Sequence, residues 1–333
     1  MNELSLVFNG PAGAWNEALP LGNGSMGAMS YGWLREEKIE LNLDTLWSGT
    51  GRSKENKNTD VDWDLLRQKI FAGEYEEAES YCKENILGDW TESYLPAGNL
   101  HIDANIPELK EHGSYQRQLS LKDALEQVVY CQDGQGYQRE FFVSMSEPVM
   151  ALHYKADAGS SLELRISLDS QIRHACSAFG TSGLVLEGQA PVYAAPSYYS
   201  CEHPIVYEEG KGTRFAIAIS VQAPNGCIRQ KDNTLLVTAD NDVYMSGITD
   251  FQAQDSYLSR KKQMLEQICD LSYPQLKEVH KKAYAAYFDR MDFTLTPGVQ
   301  NDLITKMFHY ARYLMISSSK PGTQCANLQG IWN

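Results

Sequence analysis

Long apolar runs, cysteine motifs and basic charge are all scarce in this sequence. No stretch approaches 18 uninterrupted apolar residues, so the sequence predicts no transmembrane helix. The seven cysteines are scattered and include no Cys-x-x-Cys pair, which argues against a zinc ribbon or a disulfide framework. Lys and Arg number 29 against 43 Asp and Glu, a net charge of -14, which repels phosphate backbones and anionic membranes. We therefore expect no nucleic-acid partner and no membrane partner.

Targeting signals and common catalytic motifs are also missing. The first eight residues have no basic segment followed by an apolar one, and the thiols read as free, so we expect a cytoplasmic protein. The seven histidines include no His-Glu-x-x-His, and no Gly-x-Ser-x-Gly is present. We therefore expect no metal site, no cofactor and no hydrolase nucleophile of that type.

One glycine motif is present, at Gly22–Gly27, and it fits the Gly-x-Gly-x-x-Gly pattern of dinucleotide-binding proteins. Pro20 stands where a buried parallel strand would run, and the segment after Gly27 is strand-like instead of helical. We interpret the motif as a glycine turn that joins two strands.

The 333 residues divide into a β-rich part and a helical part. Short apolar runs separated by Gly, Asn, Asp and Pro predict strands and a mainly β fold, a large antiparallel sandwich, over residues 1–250. A helical spacing of apolar residues over residues 61–87 predicts an inserted helical hairpin. Helical patterns return in residues 251–291, which we interpret as a linker, and in residues 292–333.

Two groups of residues are candidates for acting on or binding a sugar: the carboxylates, and the segment formed by residues 327–333. Glycosidases use paired carboxylates, and candidates are present, but the sequence alone cannot pair them: Glu17, Glu40, Asp44 and Asp292. Asn327, Gln329 and Trp332 place two amides and an indole around a glycine, a group that can hydrogen-bond and stack on a sugar. The alternative is a structural turn with a buried tryptophan, and the residues leave both open.

Five segments together resemble glycoside hydrolase family 95, the α-L-fucosidases and related α-L-galactosidases. They occur in family order along nearly the whole chain, and the last is the most specific: Trp15–Met29, Glu40–Gly49, Tyr94–Leu100, Tyr137–Ser144 and Tyr313–Asn333. The resemblance implies an N-terminal β-super-sandwich, a helical linker and the start of an (α/α)6 toroid. It also implies hydrolysis with inversion, in which a glutamic acid protonates the leaving oxygen and asparagines backed by an aspartate position the water.

The family's catalytic asparagines, acid and aspartate have no counterpart in residues 1–333. After Met291 too few residues remain for a toroid of about a dozen helices of ~11–12 residues each. We therefore expect the N-terminal portion of a glycosidase, inactive alone, with no catalytic residue of its own. Its expected partners are a fucosylated oligosaccharide or glycoconjugate and the missing catalytic portion.

The resemblance also nominates residues outside the chemistry. Asn327, Gln329 and Trp332 precede the family's active-site segment and are candidates for substrate binding, whereas Trp15, Asn23 and Trp47 lie in family motifs and are candidates for a domain interface. Two other functions remain open. One is a carbohydrate-binding or scaffold β-sandwich without catalysis. The other is a truncated product without function, which would aggregate through the apolar face of Leu303–Met315.

Overall fold

The computed structural model describes residues 4–51, 58, 60–88, 91–158, 162–251 and 254–333. These residues form two compact units. The first unit contains the described residues within 4–46, 94–190 and 213–333, and the second contains those within 47–93 and 191–212. Residues 252 and 253 of the predicted linker lie outside the described residues.

Two antiparallel sheets make up most of the first unit. In the described residues, one sheet has nine strands, in the order β1 (Ser5–Phe8), β6 (Ser114–Ser120), β7 (Leu125–Gln132), β8 (Gln135–Val143), β9 (Met150–Ala156), β18 (Asn241–Thr249), β15 (Arg214–Gln222), β12 (Gly183–Gln189) and β11 (His174–Phe179). The other has seven, in the order β16 (Ile228–Lys231), β17 (Thr234–Thr238), β10 (Glu163–Asp169), β5 (Gly98–Ala104), β4 (Glu36–Leu43), β3 (Met26–Ser30) and β2 (Leu19–Gly22). The predicted mainly β, antiparallel fold is confirmed.

Local sequence explains the strands and their turns. Along β10 the apolar side chains of Leu164, Ile166 and Leu168 are buried and alternate with more exposed polar ones, as a half-buried strand requires. Between β7 and β8, Asp133 and Gly134 both have positive φ, 52° and 76°, which is the backbone of a tight two-residue hairpin. The strand pattern therefore follows from alternation and turn chemistry.

A buried ion cluster links the two sheets. Arg139 on β8 contacts the carboxylate of Glu37 on β4 at 2.8 Å and that of Glu126 on β7 at 3.1 Å. Ser30 on β3 donates its hydroxyl to Glu126 at 2.9 Å. Burial raises the pKa of Glu37, although Arg139 opposes this shift. Removing Arg139 alone would leave two buried carboxylates without their cation, which would strongly destabilise the fold.

Two helices after the sandwich pack on the nine-stranded sheet. They are α3 (Tyr257–Gln267) and α4 (Tyr273–Phe288). Met264 of α3 and Leu276 of α4 are buried in one cluster with Phe142 of the sheet. The segment predicted as a linker is therefore helical and contributes to the core of this unit. The predicted division into three domains stays a prediction.

The last helix, α5 (Val299–Ser318), buries one side and exposes an apolar stripe. His309, Tyr313 and Ser317 are buried on the covered side. On the other side an exposed stripe recurs every four residues and consists of Val299, Leu303, Met307, Ala311 and Met315. A helix that is apolar on two sides is ordinarily covered on both.

The second unit contains a helical hairpin and a small two-stranded sheet. The hairpin consists of α1 (Trp63–Ala72) and α2 (Tyr75–Asn85), and the sheet pairs β13 (Tyr193–Ala194) with β14 (Ile205–Val206). The side chain of Asp62 accepts the Leu65 amide at 2.9 Å and caps α1, and Gly73 ends it with φ of 81°. These helices lie where the sequence predicts a hairpin. In the described residues, no helix is long and apolar enough to cross a membrane.

Candidate functional site

The glycine motif forms the turn between β2 and β3. Leu19–Gly22 pairs antiparallel with Met26–Ser30, as the sequence predicts for a turn between two strands. Asn23 is buried, and its side-chain oxygen accepts the amides of Ser25 at 3.0 Å and Met26 at 2.9 Å. Its side-chain nitrogen donates to the carbonyl of Ser144 at 2.7 Å. Asn23 therefore holds the turn and fastens it to the loop after β8.

The terminal motif, Asn327–Asn333, lies against this hairpin. Trp332 is 4% exposed, and its indole N–H donates to the carbonyl of Leu21 at 2.8 Å. A Cβ at Gly27 would lie 3.0 Å from Cγ1 of Ile331, and one at Gly22 would lie 3.0 Å from Cδ1 of the same side chain. The two glycines therefore allow the terminal motif to approach the strands closely.

Asn333 is held by residues from two other family motifs. Its amide donates to the side chain of Asn42 at 3.1 Å, and its side-chain nitrogen donates to the carbonyl of Tyr94 at 3.0 Å. The hydroxyl of Tyr94 donates to the carbonyl of Ile331 at 2.8 Å, and burial raises the pKa of this phenol. Four segments far apart in sequence thus meet at the end of α5.

Asp44 fixes the loop that precedes the terminal motif. Its carboxylate accepts the amide of Gln324 at 3.2 Å. Burial raises the pKa of Asp44, against the lowering effect of the amide hydrogen bonds. A raised carboxyl pKa is common in active sites, and buried structural carboxylates share it. The pKa shift of Asp44 therefore does not by itself assign a catalytic role.

The other candidate carboxylates each have local partners. Glu17 accepts the amide of Gly13 at 2.7 Å, and Glu40 accepts the hydroxyl of Tyr31 at 3.0 Å. Asp292 is exposed and lies 3.6 Å from the ring of His309. None of these contacts joins two of the four candidate carboxylates, so they do not form the acid and base pair of a glycosidase.

The nominated residues occupy different environments. Trp332 is buried and its indole is engaged with the backbone, which matches the structural alternative considered for it. Asn327 accepts the amide of Gln329 at 3.1 Å, and the exposed side chain of Gln329 donates to Asn333 at 3.3 Å. Trp15 is 40% exposed in a short helical turn, Trp15–Glu17. Their proposed roles in substrate binding and at an interface stay predictions.

Trp47 begins the second unit and is half-buried. Sequence reasoning overlooked Asn42, Tyr94 and Asn333, although all three stand inside the family motifs. Their position inside the family motifs is the sequence signal that identifies these three residues as candidates. In the described residues, no group of three or more His, Cys, Asp or Glu side chains is arranged to hold a metal ion.

Comparisons with known proteins define the class of this chain: a glycosyl hydrolase N-terminal domain followed by a segment that matches a catalytic domain. Residues 6–254 match the family model described as glycosyl hydrolase family 65, N-terminal domain, and the chain belongs to that family. Residues 297–333 match the model of the glycosyl hydrolase family 95 catalytic domain. The predicted kinship with family 95 is confirmed.

Individual relatives agree with this assignment. The chain is 28% identical to "Alpha-L-fucosidase 2" of Arabidopsis thaliana over 99% of the chain and 44% of the relative, and 28% identical to "Probable alpha-fucosidase A" of Aspergillus niger over 95% and 42%. It therefore spans less than half the length of these relatives. A solved structure described as a putative kojibiose phosphorylase from human microbiome has the same fold, with a TM-score of 0.56 and 13% identity over 95% of this chain and 42% of that one.

Proposed function

We propose that this chain supplies the β domain, linker helices and first catalytic-domain helix of a family 95 α-L-fucosidase, or of a closely related α-L-galactosidase. The fucosidase names of its relatives support this specificity. The proposed reaction is hydrolysis of an α-L-fucoside with inversion of configuration. The substrate is then a fucosylated oligosaccharide or glycoconjugate.

The meeting of three family motifs with the terminal motif carries the proposal. Asn42 lies on β4, Leu21 lies on β2 and Tyr94 lies shortly before β5, and each accepts a hydrogen bond from Trp332 or Asn333. An inverting glycosidase must fix its catalytic groups to fractions of an ångström, and anchoring on sheet strands meets this need better than a free loop. The proposed role of these residues is to position the segment that leads into the active site.

The exposed stripe of α5 supports the same proposal. Val299, Leu303 and Met307 are 92%, 58% and 62% exposed, and they lie in the segment that matches the family 95 catalytic domain. Contiguous exposed apolar surface of this kind marks an interaction site. We assign the remaining helices of that catalytic domain as its cover.

The proposed chemistry needs an acid for the leaving oxygen and a fixed water on the opposite face of the sugar. The family resemblance assigns neither group to residues 1–333. Residues of this chain would hold the active-site segment and would not transfer the proton. Residues 1–333 alone are therefore expected to give no turnover.

Hydrolysis of 4-nitrophenyl α-L-fucoside tests the proposal. The purified 333-residue chain should release no nitrophenol, whereas a mixture with the separately produced catalytic portion of the Arabidopsis relative should release it. Leu303→Glu with Met307→Glu should abolish this gain, and Leu258→Glu, at an exposed position on α3, should not. Turnover by the chain alone, or a mixture active on other glycosides but not on fucosides or galactosides, would contradict the proposal.

A further inference from the structure

A polar groove opens on the nine-stranded sheet beside the start of α4. Its volume is about 450 Å³, within the range of small-molecule sites. The floor comes from β8 and β9, and one wall comes from Tyr273, Pro274 and the following turns of α4. Five of its nine lining residues carry charged side chains, which favours a polar ligand.

Strand register explains why polar groups collect here. Glu140 lies directly opposite His153, and His153 lies directly opposite Asp242. Gln138 and Lys155 form the next pair on the same face. In the other direction this face becomes apolar at Phe142, which is covered by α4. The groove therefore begins where the helix stops covering the sheet.

Four groove side chains are held in place by one another and by Asp242, namely Glu140, His153, Tyr273 and Lys277. Nδ1 of His153 donates to the carboxylate of Asp242 at 2.6 Å. The imidazole stacks on Tyr273 with ring centroids 4.7 Å apart. The Tyr273 hydroxyl and the Lys277 ammonium both donate to Oε2 of Glu140, at 2.8 and 2.5 Å. A ligand would therefore meet groups that are already ordered.

The groove is lined by both signs of charge, three lysines and two glutamates. Lys277 is neutralised by Glu140, and the ammonium of Lys281 lies 3.9 Å from the nearest carboxylate, Asp123. Within the described part of the chain, Lys155 forms no salt bridge and no side-chain hydrogen bond. Glu278 lines the same groove. A strongly anionic ligand would meet these carboxylates, whereas a pair of hydroxyls can accept from an ammonium and donate to a carboxylate.

We propose that this polar groove is a carbohydrate-binding site for a neutral pyranose unit. Lys155 and Glu278 bind adjacent hydroxyls, Nε2 of His153 forms a hydrogen bond with a third, and Pro274 faces the apolar side of the ring. Because the chain belongs to a glycosyl hydrolase N-terminal domain family, a glycan is the polyhydroxyl ligand that fits this class. The inference rests on that class and not on the proposed fucosidase activity.

Calorimetric titration of the 333-residue chain tests the site. Lactose and 2′-fucosyllactose should bind, and galacturonate and inorganic sulfate should bind more weakly or not at all. Lys155→Gln and Glu278→Gln should each weaken binding about tenfold, since each removes a hydrogen bond to a charged group. Lys262→Gln on α3, a position 79% exposed and outside the groove, is the matched control and should leave binding unchanged.

Hydrogen exchange under the same conditions locates the ligand. Protection should appear in residues 135–156 and 273–281. The proposal is overturned if neutral sugars do not bind, if the anions bind in their place, or if protection falls only at Asn327–Asn333. Each of these results leaves the fucosidase proposal standing, because that proposal is read from turnover of the aryl fucoside.

Discussion

At the scale of single residues, two buried polar side chains, those of His280 and Tyr313, join distant segments of the chain through specific hydrogen bonds. His280 is 0% exposed, and its Nε2 donates to the carbonyl of Asp123 at 2.9 Å while its Nδ1 accepts the amide of Met145 at 3.2 Å. The buried Tyr313 hydroxyl donates to the carbonyl of Pro20 at 2.6 Å. These bonds tie the helices to the strands, and they require one protonation state of each group.

His280 makes stability depend on pH. Burial lowers the pKa of His280 to about 4 from its ordinary value of 6.5, so the folded state disfavours the charged ring. Stability is then complete above pH 6.5 and falls as pH decreases toward 4, by about 3 kcal/mol in total, because only the unfolded chain is readily protonated in this range. Urea unfolding at pH 7.0, 5.5 and 4.5 measures the loss.

His280→Gln is the matched variant, because a glutamine amide can also donate to Asp123 and accept from Met145. It removes the titrating ring, so the difference in unfolding free energy between pH 7.0 and 4.5 should be smaller in the variant. Equal differences in the two proteins would show that His280 does not contribute to the pH dependence.

Gly22 should tolerate no side chain. A Cβ at this position would lie 2.5 Å from the carbonyl oxygen of Ser317, a backbone atom that cannot move aside without shifting the end of α5. Gly22→Ala should therefore cost about 1–3 kcal/mol in thermal or urea unfolding. Gly10→Ala, where no atom lies within 4 Å of the added Cβ, should change stability by less than about 0.5 kcal/mol. Equal stabilities of the two variants would contradict the close approach.

At the scale of elements, the strands could be predicted from alternation and turn residues, and the helices from three- and four-residue spacing. The partner of each helix could not be predicted. The spacing of Leu276 and His280 indicates a buried face on α4 but does not identify the sheet that buries it. Likewise, Asn42 and Tyr94 stand in separate sequence motifs. The pairing of β4 with β5 brings these two motifs together, and the segment after α5 then places Asn333 against both residues.

The packing of α4 on the sheet gives a prediction for the linker segment. Leu276 is 4% exposed and lies in the cluster with Phe142, so Leu276→Ala should destabilise the protein by about 2–5 kcal/mol. Val279→Ala, at a position 45% exposed on the same helix, should cost much less. Urea unfolding compares the two. If α4 were a loosely attached connector, the two substitutions would have similar, small effects.

At the scale of the whole molecule, charge and exposed apolar surface oppose each other. The net charge of -14 keeps copies of the chain apart by electrostatic repulsion, which salt screens. The exposed stripe of α5 favours association through burial of apolar side chains, which screening leaves intact. The balance between them should therefore shift toward association as salt is added.

Light scattering at increasing salt measures that balance. The 333-residue chain should associate more as salt rises, and Leu303→Glu with Met307→Glu should keep it monomeric, because both substitutions place charge in the exposed stripe. Leu258→Glu, 65% exposed on α3, adds charge outside the stripe and should still associate. If Leu258→Glu suppresses association as much per added charge as the double substitution does, then the net charge of the protein controls association and the exposed stripe does not. The assignment of the catalytic-domain helices as its cover would then lose its physical basis.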